Sequence, residues 1–305
     1  MKRAVSVSLG SSKRDKKVEI ELLGERIRLE RIGTDGDMEV ATNLFRELDG
    51  KVDAFGVGGT DLTLSVDGRV YALHSVQKMV KDVHKTPIAD GSGLKNTLES
   101  RLAPYIDEFI GEHVNPRRAL ITSGADRWGM TTSFFDAGYD CVVGDLMFAL
   151  GLPIPLRSKR ALKILAALLI PIVGRLPFEW LYPTGEKQEA RDPKWGEYYE
   201  WGTVIAGDCH FISRYMPPRL EGKVIVTNTT TQADVDRFRE AGAAYLVTST
   251  PVIDGRSFGT NMMEAALIAA TGKSEPLNPS ELVTLIDQLD LHPQIRSLNS
   301  SHSQV

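Results

Sequence analysis

The clearest alternation of apolar and polar segments lies in residues 222–272, where two apolar runs enclose a segment with helical spacing. The first run, residues 224–226, ends in a polar loop, and the second, residues 245–247, ends in another. Thr231 with Asp234 three residues later fits a capping box, which places the start of the enclosed helix directly after the first loop. The pattern predicts a strand, helix, strand unit whose polar loops leave the carboxyl ends of parallel strands, where open α/β sheets bind ligands.

The same alternation continues through the rest of the chain. Residues 4–9 and 118–122 are apolar runs typical of buried strands, and residues 38–48 have apolar positions at helical spacing with Asp35 or Asp37 available as a cap. This order of elements predicts an α/β protein with two lobes and mainly parallel sheets.

The predicted lobes divide the chain near Pro116. We place an N-terminal α/β lobe with a hairpin in residues 1–115 and a Rossmann-like α/β lobe in residues 116–296. Residues 297–305 are polar and predict a disordered tail.

The most glycine-dense stretch is residues 55–61, with glycines at 56, 58 and 59. A dinucleotide fingerprint needs its glycines to lead from a strand directly into a helix. Here they lead into two alternating runs joined by Asp67-Gly68, which is a strong hairpin signal. Two interpretations stay open: a phosphate loop, or glycines that allow close packing of the strands.

A second candidate is the loop Asp90-Gly91-Ser92-Gly93-Leu94-Lys95, which places a carboxylate, a hydroxyl and an ammonium within six residues. Asp90 and Lys95 could exchange a proton, or the backbone N–H groups could bind an anion at the start of the following helix. An ordinary turn with a solvated lysine is the alternative.

Further candidates follow other predicted strands. Asp145 is either a helix N-cap or a buried functional carboxylate, and Asp208 with His210 is either an acid/base pair on one strand face or a structural pair. Arg256 could hold a phosphate or carboxylate in a two-pronged contact, and Asn261 stands at the start of the next helix.

Composition narrows the classes of partner. The net charge is -4 and the isoelectric point about 5.9, with Lys and Arg spread along the chain, so a nucleic-acid partner is not expected. Two cysteines without metal-ligand spacing and an N-terminus without a signal-peptide core favour a cytoplasmic location.

The apolar segment 161–174 is too short to span a bilayer, which predicts a buried or interface helix rather than a membrane anchor. A homodimer is left open.

Several stretches together resemble bacterial proteins labelled quinate 5-dehydrogenase, or quinate/shikimate dehydrogenase. They include VDAFGVGGTDLTL, TPIADGSGLKNTLE, AGDCHFISRYMP, TNTTTQADV and GRSFGTNMMEA, and the resemblance covers nearly the whole chain. Such an enzyme transfers a hydride between a nicotinamide cofactor, NAD or NADP, and a hydroxyl of a cyclic hydroxy acid, which is a small anionic substrate.

The resemblance also implies roles for individual residues. Lys95 and Asp90 stand for the catalytic pair of those enzymes, and Ser6 with Ser8 is similar to their substrate-binding Ser-x-Ser. We add Arg256 and Asn261 to the substrate site. The Gly-Ala-Gly-Gly cofactor loop of those enzymes is missing from this sequence. We therefore assign cofactor binding to the polar loops of residues 222–272, namely Asn228, Thr229, Thr230 and Thr248.

Two alternatives to the dehydrogenase remain. A magnesium-dependent nucleotide or phosphoryl-transfer enzyme would use the glycine stretch, with Asp61 or Asp145 on the metal. A non-catalytic protein that binds a small anion would use the Arg256 loop without an acid/base pair.

Overall fold

The computed structural model describes residues 1–176, 191–250, 252–253 and 256–299. The strands in chain order are β1 (Lys2–Ser8), β2 (Lys16–Leu22), β3 (Glu25–Gly33), β4 (Ala54–Gly58), β5 (Thr63–Val66), β6 (Arg69–Ala72), β7 (Ile88–Ala89), β8 (Arg118–Ile121), β9 (Asp140–Val143), β10 (Val204–Ala206), β11 (Val224–Thr227), β12 (Tyr245–Thr248), β13 (Val252–Ile253), β14 (Arg256–Ser257) and β15 (Gln294–Ser297).

The helices in chain order are α1 (Met38–Leu48), α2 (His74–Gln77), α3 (Ser92–Glu99), α4 (Leu102–Ile110), α5 (Trp128–Asp136), α6 (Lys159–Val173), α7 (Gly196–Trp201), α8 (Cys209–Tyr215), α9 (Gln232–Glu240), α10 (Thr260–Thr271) and α11 (Pro279–Gln288). Short 3-10 turns occupy Ser12–Arg14, Lys78–Val80 and Gly111–Val114, and a π-helical turn occupies Asp145–Ala149.

The chain forms two compact α/β units, in agreement with the predicted fold class. Unit 1 comprises Met1–Thr97, Ala167–Lys187 and Val252–Leu291, and unit 2 comprises Leu98–Ala166, Gln188–Pro251 and His292–Val305. This division differs from the predicted lobes 1–115 and 116–296, because the chain leaves unit 1 within α3 and later returns to it. Such returns cannot be read from local sequence, since they depend on which sheet an element packs against.

Unit 2 is built on a parallel sheet with strand order β15-β12-β11-β10-β8-β9, in which only β15 runs antiparallel. Alternate residues face opposite sides: Ala119 and Ile121 of β8 join one hydrophobic cluster, and Leu120 joins the other. Both faces are therefore covered, which explains why these strands are short, continuous apolar runs. From β8 the chain moves outward to β9 and then crosses to β10 on the other side, so β8 and β10 flank the point where strand order reverses.

Unit 1 is built on a sheet with order β2-β3-β1-β4-β7, parallel except for β2. One face, which includes Val5, Val7 and Phe55, packs against α1. The other face carries small side chains and packs against α10. A Cβ added at Gly56 would lie 2.8 Å from the Asn261 carbonyl oxygen, so close approach of this helix requires glycine. The interpretation was close packing of the strands; at Gly56 the close neighbour is instead the helix that covers the sheet.

Local signals were accurate where the pattern was strong. Helix α1 begins at Met38 with Asp37 as its N-cap, and α9 begins after the capping box of Thr231 and Asp234. The hairpin around Asp67-Gly68 is formed by β5 and β6.

The predicted tail begins too early. Ser297 is the last residue of β15, which pairs with β12, and Leu298 is buried in the core of unit 2. Residues 300–305 lie outside the described part of the chain. Turn-rich composition therefore concealed a short edge strand, because pairing with β12 is a contact made far along the sequence.

The apolar segment 161–174 lies almost wholly in α6. Leu162, Ala166 and Ile170 are buried, whereas Ile164, Leu168 and Ile172 on the opposite side are exposed. The prediction of a buried helix therefore holds for one side only. Among the helices that the structure describes, none combines the length and the apolar character that crossing a membrane requires.

Candidate functional site

The strongest candidate site is a cluster of polar side chains at the carboxyl edge of the unit 2 sheet. We call Glu99, Arg127, Asp208 and Asn228 the unit 2 edge cluster. Arg127 follows β8, Asp208 follows β10 and Asn228 follows β11, so three of the four side chains leave strand ends on the same edge. Glu99 is contributed by the last turn of α3. The cluster therefore lies where the strand order of unit 2 reverses, between β8 and β10.

Arg127 is the centre of the cluster. Its side chain is only 5% exposed, and it donates from Nη1 to Glu99 Oε1 and from Nη2 to Asp208 Oδ2, the latter over 3.0 Å. Asn228 Nδ2 donates to the same Asp208 oxygen over 3.1 Å. Glu99 is fully buried, whereas the Asp208 side chain is 22% exposed. Asp208 and Asn228, which are both half-buried, are thus the members through which the cluster reaches solvent.

The electrostatics of the cluster favour a permanently charged guanidinium. Burial alone would lower the pKa of Arg127, but the neighbouring carboxylates of Glu99, Asp208 and Asp126 outweigh it and raise that pKa above its ordinary value. Three carboxylates face one guanidinium, so the cluster with Asp126 carries a net negative charge.

Hydroxyl groups surround the cluster on neighbouring strand ends. Ser249, directly after β12, donates from Oγ to Glu99 Oε1 over 3.5 Å. Thr250 is 1% exposed, and its Oγ1 has no hydrogen-bond partner within the described chain. The Oγ of Ser123, directly after β8, is likewise buried without a partner among the described residues. Buried hydroxyls without partners are uncommon in folded proteins and often mark a place where a water or ligand binds.

The predicted cofactor residues are placed partly as expected. Asn228 and Thr248 lie at the carboxyl edge of the sheet, with Thr248 the last residue of β12. Thr229 and Thr230 are half-buried in the loop that leads to α9. Asn228 Oδ1 accepts from the Cys209 backbone N–H over 3.3 Å, so this side chain is fixed by its own neighbours as well as by Asp208.

The prediction of a strand-borne acid/base pair at Asp208 and His210 is wrong. Asp208 is the N-cap of α8, and its Oδ1 accepts from the His210 backbone N–H over 2.9 Å. The imidazole is exposed. The two residues are close because of a helix cap, not because their side chains share a strand face.

Asp145 lies beside the edge cluster and caps a loop. Its two carboxylate oxygens accept from the backbone N–H groups of Gly124 and Ala125 over 2.7 and 2.9 Å. Burial raises the pKa of Asp145 to about 6, although these two hydrogen bonds act in the opposite direction. The residue is therefore a partly buried carboxylate that holds the loop after β8, rather than the N-cap of the turn that it begins.

The predicted catalytic pair is not a pair. Asp90 Oδ2 accepts from the backbone N–H groups of Leu62 and Thr63, and its Oδ1 accepts from that of Ser92. Lys95 donates instead to Asp61 Oδ2 over 2.9 Å. Both carboxylate oxygens of Asp90 therefore bind backbone N–H groups of nearby loops. The spacing of residues in the sequence does not show these hydrogen bonds.

The predicted substrate residues of unit 1 are also engaged internally. Asn261 Nδ2 donates to Ser6 Oγ over 2.7 Å, and Ser8 Oγ accepts from the Gly10 backbone N–H and from Arg31 Nη2. Both serines are buried. Arg256 has backbone pairing in β14, but its side chain lies outside the described part of the structure.

A magnesium site receives no support from the described residues. The two carboxylates proposed for the metal are bound to other groups, Asp61 to Lys95 and Asp145 to backbone N–H groups. Within the described ranges no group of three or more His, Cys, Asp or Glu side chains is arranged to hold a metal ion.

Two protein families match the sequence. The family described as "Domain of unknown function (DUF8754)" matches residues 93–298, and the family described as "Domain of unknown function (DUF8753)" matches residues 3–90. The interval between the two matches lies close to Thr97, where the chain first leaves unit 1. No curated protein matches this sequence.

Solved structures match over most of the chain at low identity. A glucose-galactose binding protein from Geobacillus stearothermophilus is 10% identical, with 98% of each chain covered and a TM-score of 0.40. A periplasmic ribose ABC transporter from Conexibacter woesei is 11% identical, with 94% of each chain covered and a TM-score of 0.38. A malic enzyme from Entamoeba histolytica is 11% identical, with 98% of this chain and 66% of that chain covered and a TM-score of 0.42. At these TM-scores we transfer no function from them.

The prediction of an NAD(P)-dependent oxidoreductase for a quinate- or shikimate-like acid is wrong. The two residues expected to form its catalytic pair have separate partners: Asp90 accepts from backbone N–H groups, and Lys95 donates to Asp61. The resemblance to proteins labelled quinate 5-dehydrogenase, NAD or NADP as a cofactor, the cytoplasmic location and the homodimer stay predictions.

Proposed function

Since this chain belongs to the DUF8754 family, whose description gives no activity, we propose from the structure that the unit 2 edge cluster binds a small, uncharged, polyhydroxylated molecule without transforming it. One observation carries the proposal: a buried guanidinium is held between two carboxylates at the reversal point of a parallel sheet. Open α/β sheets bind ligands at this position.

The donors and acceptors of the cluster suit hydroxyl groups. A hydroxyl donates one hydrogen bond and accepts others, so it is best met by an acceptor and a donor side by side. Asp208 supplies acceptor oxygens and Arg127 supplies donors, and the Asn228 side chain, whose Nδ2 donates to Asp208, carries one donor and one acceptor group. Two neighbouring hydroxyls of a sugar or cyclic polyol would satisfy this arrangement.

The charge of the cluster disfavours an anion. The positive charge of Arg127 is already opposed by Glu99, Asp208 and Asp126, so a carboxylate or phosphate would add to an existing excess of negative charge. The repulsion is strong in a partly buried site, where solvent screening is weak. The ligand proposed for unit 2 is therefore a small molecule, as predicted, but a neutral one.

The groups beside the cluster suit binding rather than reaction. Burial raises the pKa of the Cys209 thiol, so it stays protonated near neutral pH and is a poor nucleophile. Asp208 accepts from Arg127, Asn228 and the His210 backbone N–H, so both of its carboxylate oxygens are held in place by hydrogen bonds.

A thermal-shift titration tests the proposal. We expect neutral hexoses, pentoses or cyclic polyols to raise the melting temperature in a concentration-dependent way, because a ligand that binds the native state stabilises it. The panel includes the matching sugar acids and sugar phosphates, quinate, NADH and NADPH. A shift with the charged compounds and none with the neutral ones would contradict the proposal.

Two substitutions connect the binding to the cluster. Asp208→Asn and Asn228→Ala remove the acceptor and the amide that would face the ligand, and we expect each to weaken binding by about tenfold or more, the cost of one good hydrogen bond to a charged group. Asp236→Asn changes an exposed carboxylate of α9 in the same unit and serves as the control. Equal affinities for the wild type, both cluster variants and the control, measured by isothermal titration calorimetry, would place the ligand elsewhere.

A further inference from the structure

We propose that unit 1 carries a separate site for a phosphate group, formed by Arg14 and Arg31 beside Gly10 in the loop that follows β1. This loop leaves the carboxyl end of the central strand of the sheet. The chain places β3 on one side of β1 and then β4 on the other, so β1 and β4 flank the reversal point of unit 1. The site occupies the same kind of position as the unit 2 edge cluster but differs from it in charge.

The first observation is the convergence of two guanidinium groups. A Cβ added at Gly10 would lie 3.0 Å from Arg31 Nη2 and 3.1 Å from Arg14 Nη2, so both donors border the same small space. Two like charges this close repel each other, and an anion between them removes the repulsion. Next to burial, the neighbouring charge of Arg14 is the second cause that lowers the pKa of Arg31.

The second observation is that Arg31 is fixed in place. Its side chain is only 12% exposed, and it donates from Nη1 to Asp15 Oδ1 and the Ser11 carbonyl oxygen, and from Nη2 to Ser8 Oγ. Ser8 is buried and accepts at the same oxygen from the Gly10 backbone N–H. A guanidinium held by three partners loses little conformational entropy when a ligand binds.

Arg14 completes the site from the solvent side. It is exposed at the end of the Ser12–Arg14 turn, and the ion pairs found in the described chain include none between Arg14 and a carboxylate. The nearby acids have other donors: Asp15 accepts from Arg31 and the Gly33 backbone N–H, and Asp35 accepts from Ser12. Arg14 is therefore available to an incoming anion, and unlike the adjacent Lys13 it is the residue whose Nη2 borders the space at Gly10.

Glycine at two positions keeps the space open. Gly59 has a φ of +76°, and a Cβ there would lie 2.8 Å from the Gly10 backbone nitrogen, so the loops after β1 and β4 can approach each other only if residue 59 lacks a side chain. A side chain at Gly10 would enter the space between the two guanidinium groups. These constraints match the close backbone approach that phosphate-binding loops use.

The chemistry favours a phosphate over a carboxylate. Two guanidinium groups can each bind a different pair of oxygens on a tetrahedral phosphate, which a planar carboxylate cannot offer. The source can be inorganic phosphate or a phosphate ester of a small metabolite, and these two share the same recognition chemistry.

The test measures phosphate binding to the full chain by isothermal titration calorimetry and thermal shift. Inorganic phosphate is titrated at constant ionic strength with chloride as the reference salt, and sulfate, citrate and glycerol phosphate are run in parallel. We expect saturable binding of phosphate and no effect of chloride. Tighter binding of glycerol phosphate identifies an ester as the ligand, and tighter binding of inorganic phosphate identifies the free ion. Stronger binding of citrate than of every phosphate compound would overturn the choice of phosphate.

Matched variants locate the site. Arg14→Ala and Lys13→Ala remove the same charge from adjacent exposed positions, so neither is expected to unfold the protein. We expect Arg14→Ala to weaken phosphate binding about tenfold and Lys13→Ala less than about twofold, since a paired guanidinium contact is stronger than general attraction. Gly10→Ala is expected to weaken binding as well. Equal losses for Arg14→Ala and Lys13→Ala, or absence of saturable phosphate binding to the wild type, would overturn the proposal. Asp208→Asn should leave phosphate binding unchanged, which keeps this test separate from that of the unit 2 ligand.

Discussion

The carboxyl edges of the two sheets show how similar architecture produces different chemistry. Each edge buries a cation against an acid: Arg127 with Glu99 and Asp208 in unit 2, and Lys95 with Asp61 in unit 1. In unit 2 acids outnumber the cation, whereas the loop after β1 in unit 1 brings two guanidinium groups together. In the two proposed sites the strand topology sets the position, and the residues of the loops set the charge.

The largest expected effect is the loss of the buried cation of unit 2. Arg127→Met leaves Glu99 and Asp208 without their counter-charge, and we expect it to lower the free energy of unfolding by about 3–5 kcal/mol. Lys95→Met in unit 1 should cost less, because Asp61 is more exposed than Glu99. Urea unfolding at pH 7 measures both. Arg239→Met, in an exposed pair of α9, is the control, and a loss for Arg127→Met no larger than for this control would show that the cluster is not a buried ion network.

The next largest effect is the change of stability with pH that Glu264 causes in unit 1. Burial raises the pKa of Glu264 to about 7 from its ordinary 4.5, although its bond from the Leu94 backbone N–H opposes the shift. The native state then holds this proton more tightly than the unfolded state, so stability falls as pH rises from about 4.5 to about 7. The expected fall is about 3 kcal/mol.

Glu264→Gln should remove that fall, so the variant gains stability relative to the wild type as pH rises towards 8. Glu281→Gln is the control with the opposite sign, because a hydrogen bond from Lys273 lowers the pKa of Glu281 and its contribution is lost on acidification. Unfolding curves from about pH 3 to about pH 8, recorded at steps of about one pH unit, measure both variants, because the contribution of Glu281 changes below about pH 4.5 and that of Glu264 above it. Parallel pH profiles for Glu264→Gln and the wild type would contradict the assignment.

A smaller effect tests the close packing that shapes unit 1. Gly56→Ala places a Cβ 2.8 Å from a backbone oxygen of α10, which cannot move independently of the helix, and we expect a loss of about 2 kcal/mol. Gly111→Ala in unit 2 meets no atom within 4 Å and needs no positive φ, so it should change stability by less than about 0.5 kcal/mol. Thermal unfolding compares them, and equal melting temperatures would refute the packing argument.

The smallest effect concerns the helix that follows the Asn228 loop. Thr231→Ala removes the side-chain cap of α9, and we expect a loss of about 1 kcal/mol in the free energy of unfolding. Thr284→Ala, on an exposed turn of α11, is the control, because its hydroxyl only bonds to the Ser280 carbonyl oxygen of the same helix. A larger loss for the control than for Thr231→Ala would show that the cap contributes little.

Sequence patterns predicted the elements of both units where the signal is local. The Asp37 cap of α1, the Asp67-Gly68 hairpin and the capping box of α9 all depend on residues within a few positions of one another. The division into units differs from the predicted one. The first boundary falls inside α3, and α10 returns to unit 1 from a distant part of the chain.

The sequence predicted the sheet edge at which the candidate site lies, but not all the residues that form it. Asn228 and Thr248 were expected at a carboxyl edge and lie there, because parallel strands bring their ends to one edge. Glu99 and Arg127 were missed, since 28 residues separate them and a further 81 separate Arg127 from Asp208. No local signal set Glu99 apart from an exposed acid, because Lys95 and Asn96, one turn earlier in α3, are also polar.

By itself, the sequence determined the α/β class, the strand ends that carry polar residues and the caps of several helices, because these depend on periodicity and on neighbours in the chain. Which charged groups meet depends on the folded chain. Asp90 accepts hydrogen bonds from backbone N–H groups, Lys95 pairs with Asp61, and Arg127 pairs with two acids from separate segments. The reason is physical: the energy of a charged group depends on burial and on the partners within a few ångströms, and a linear pattern specifies neither.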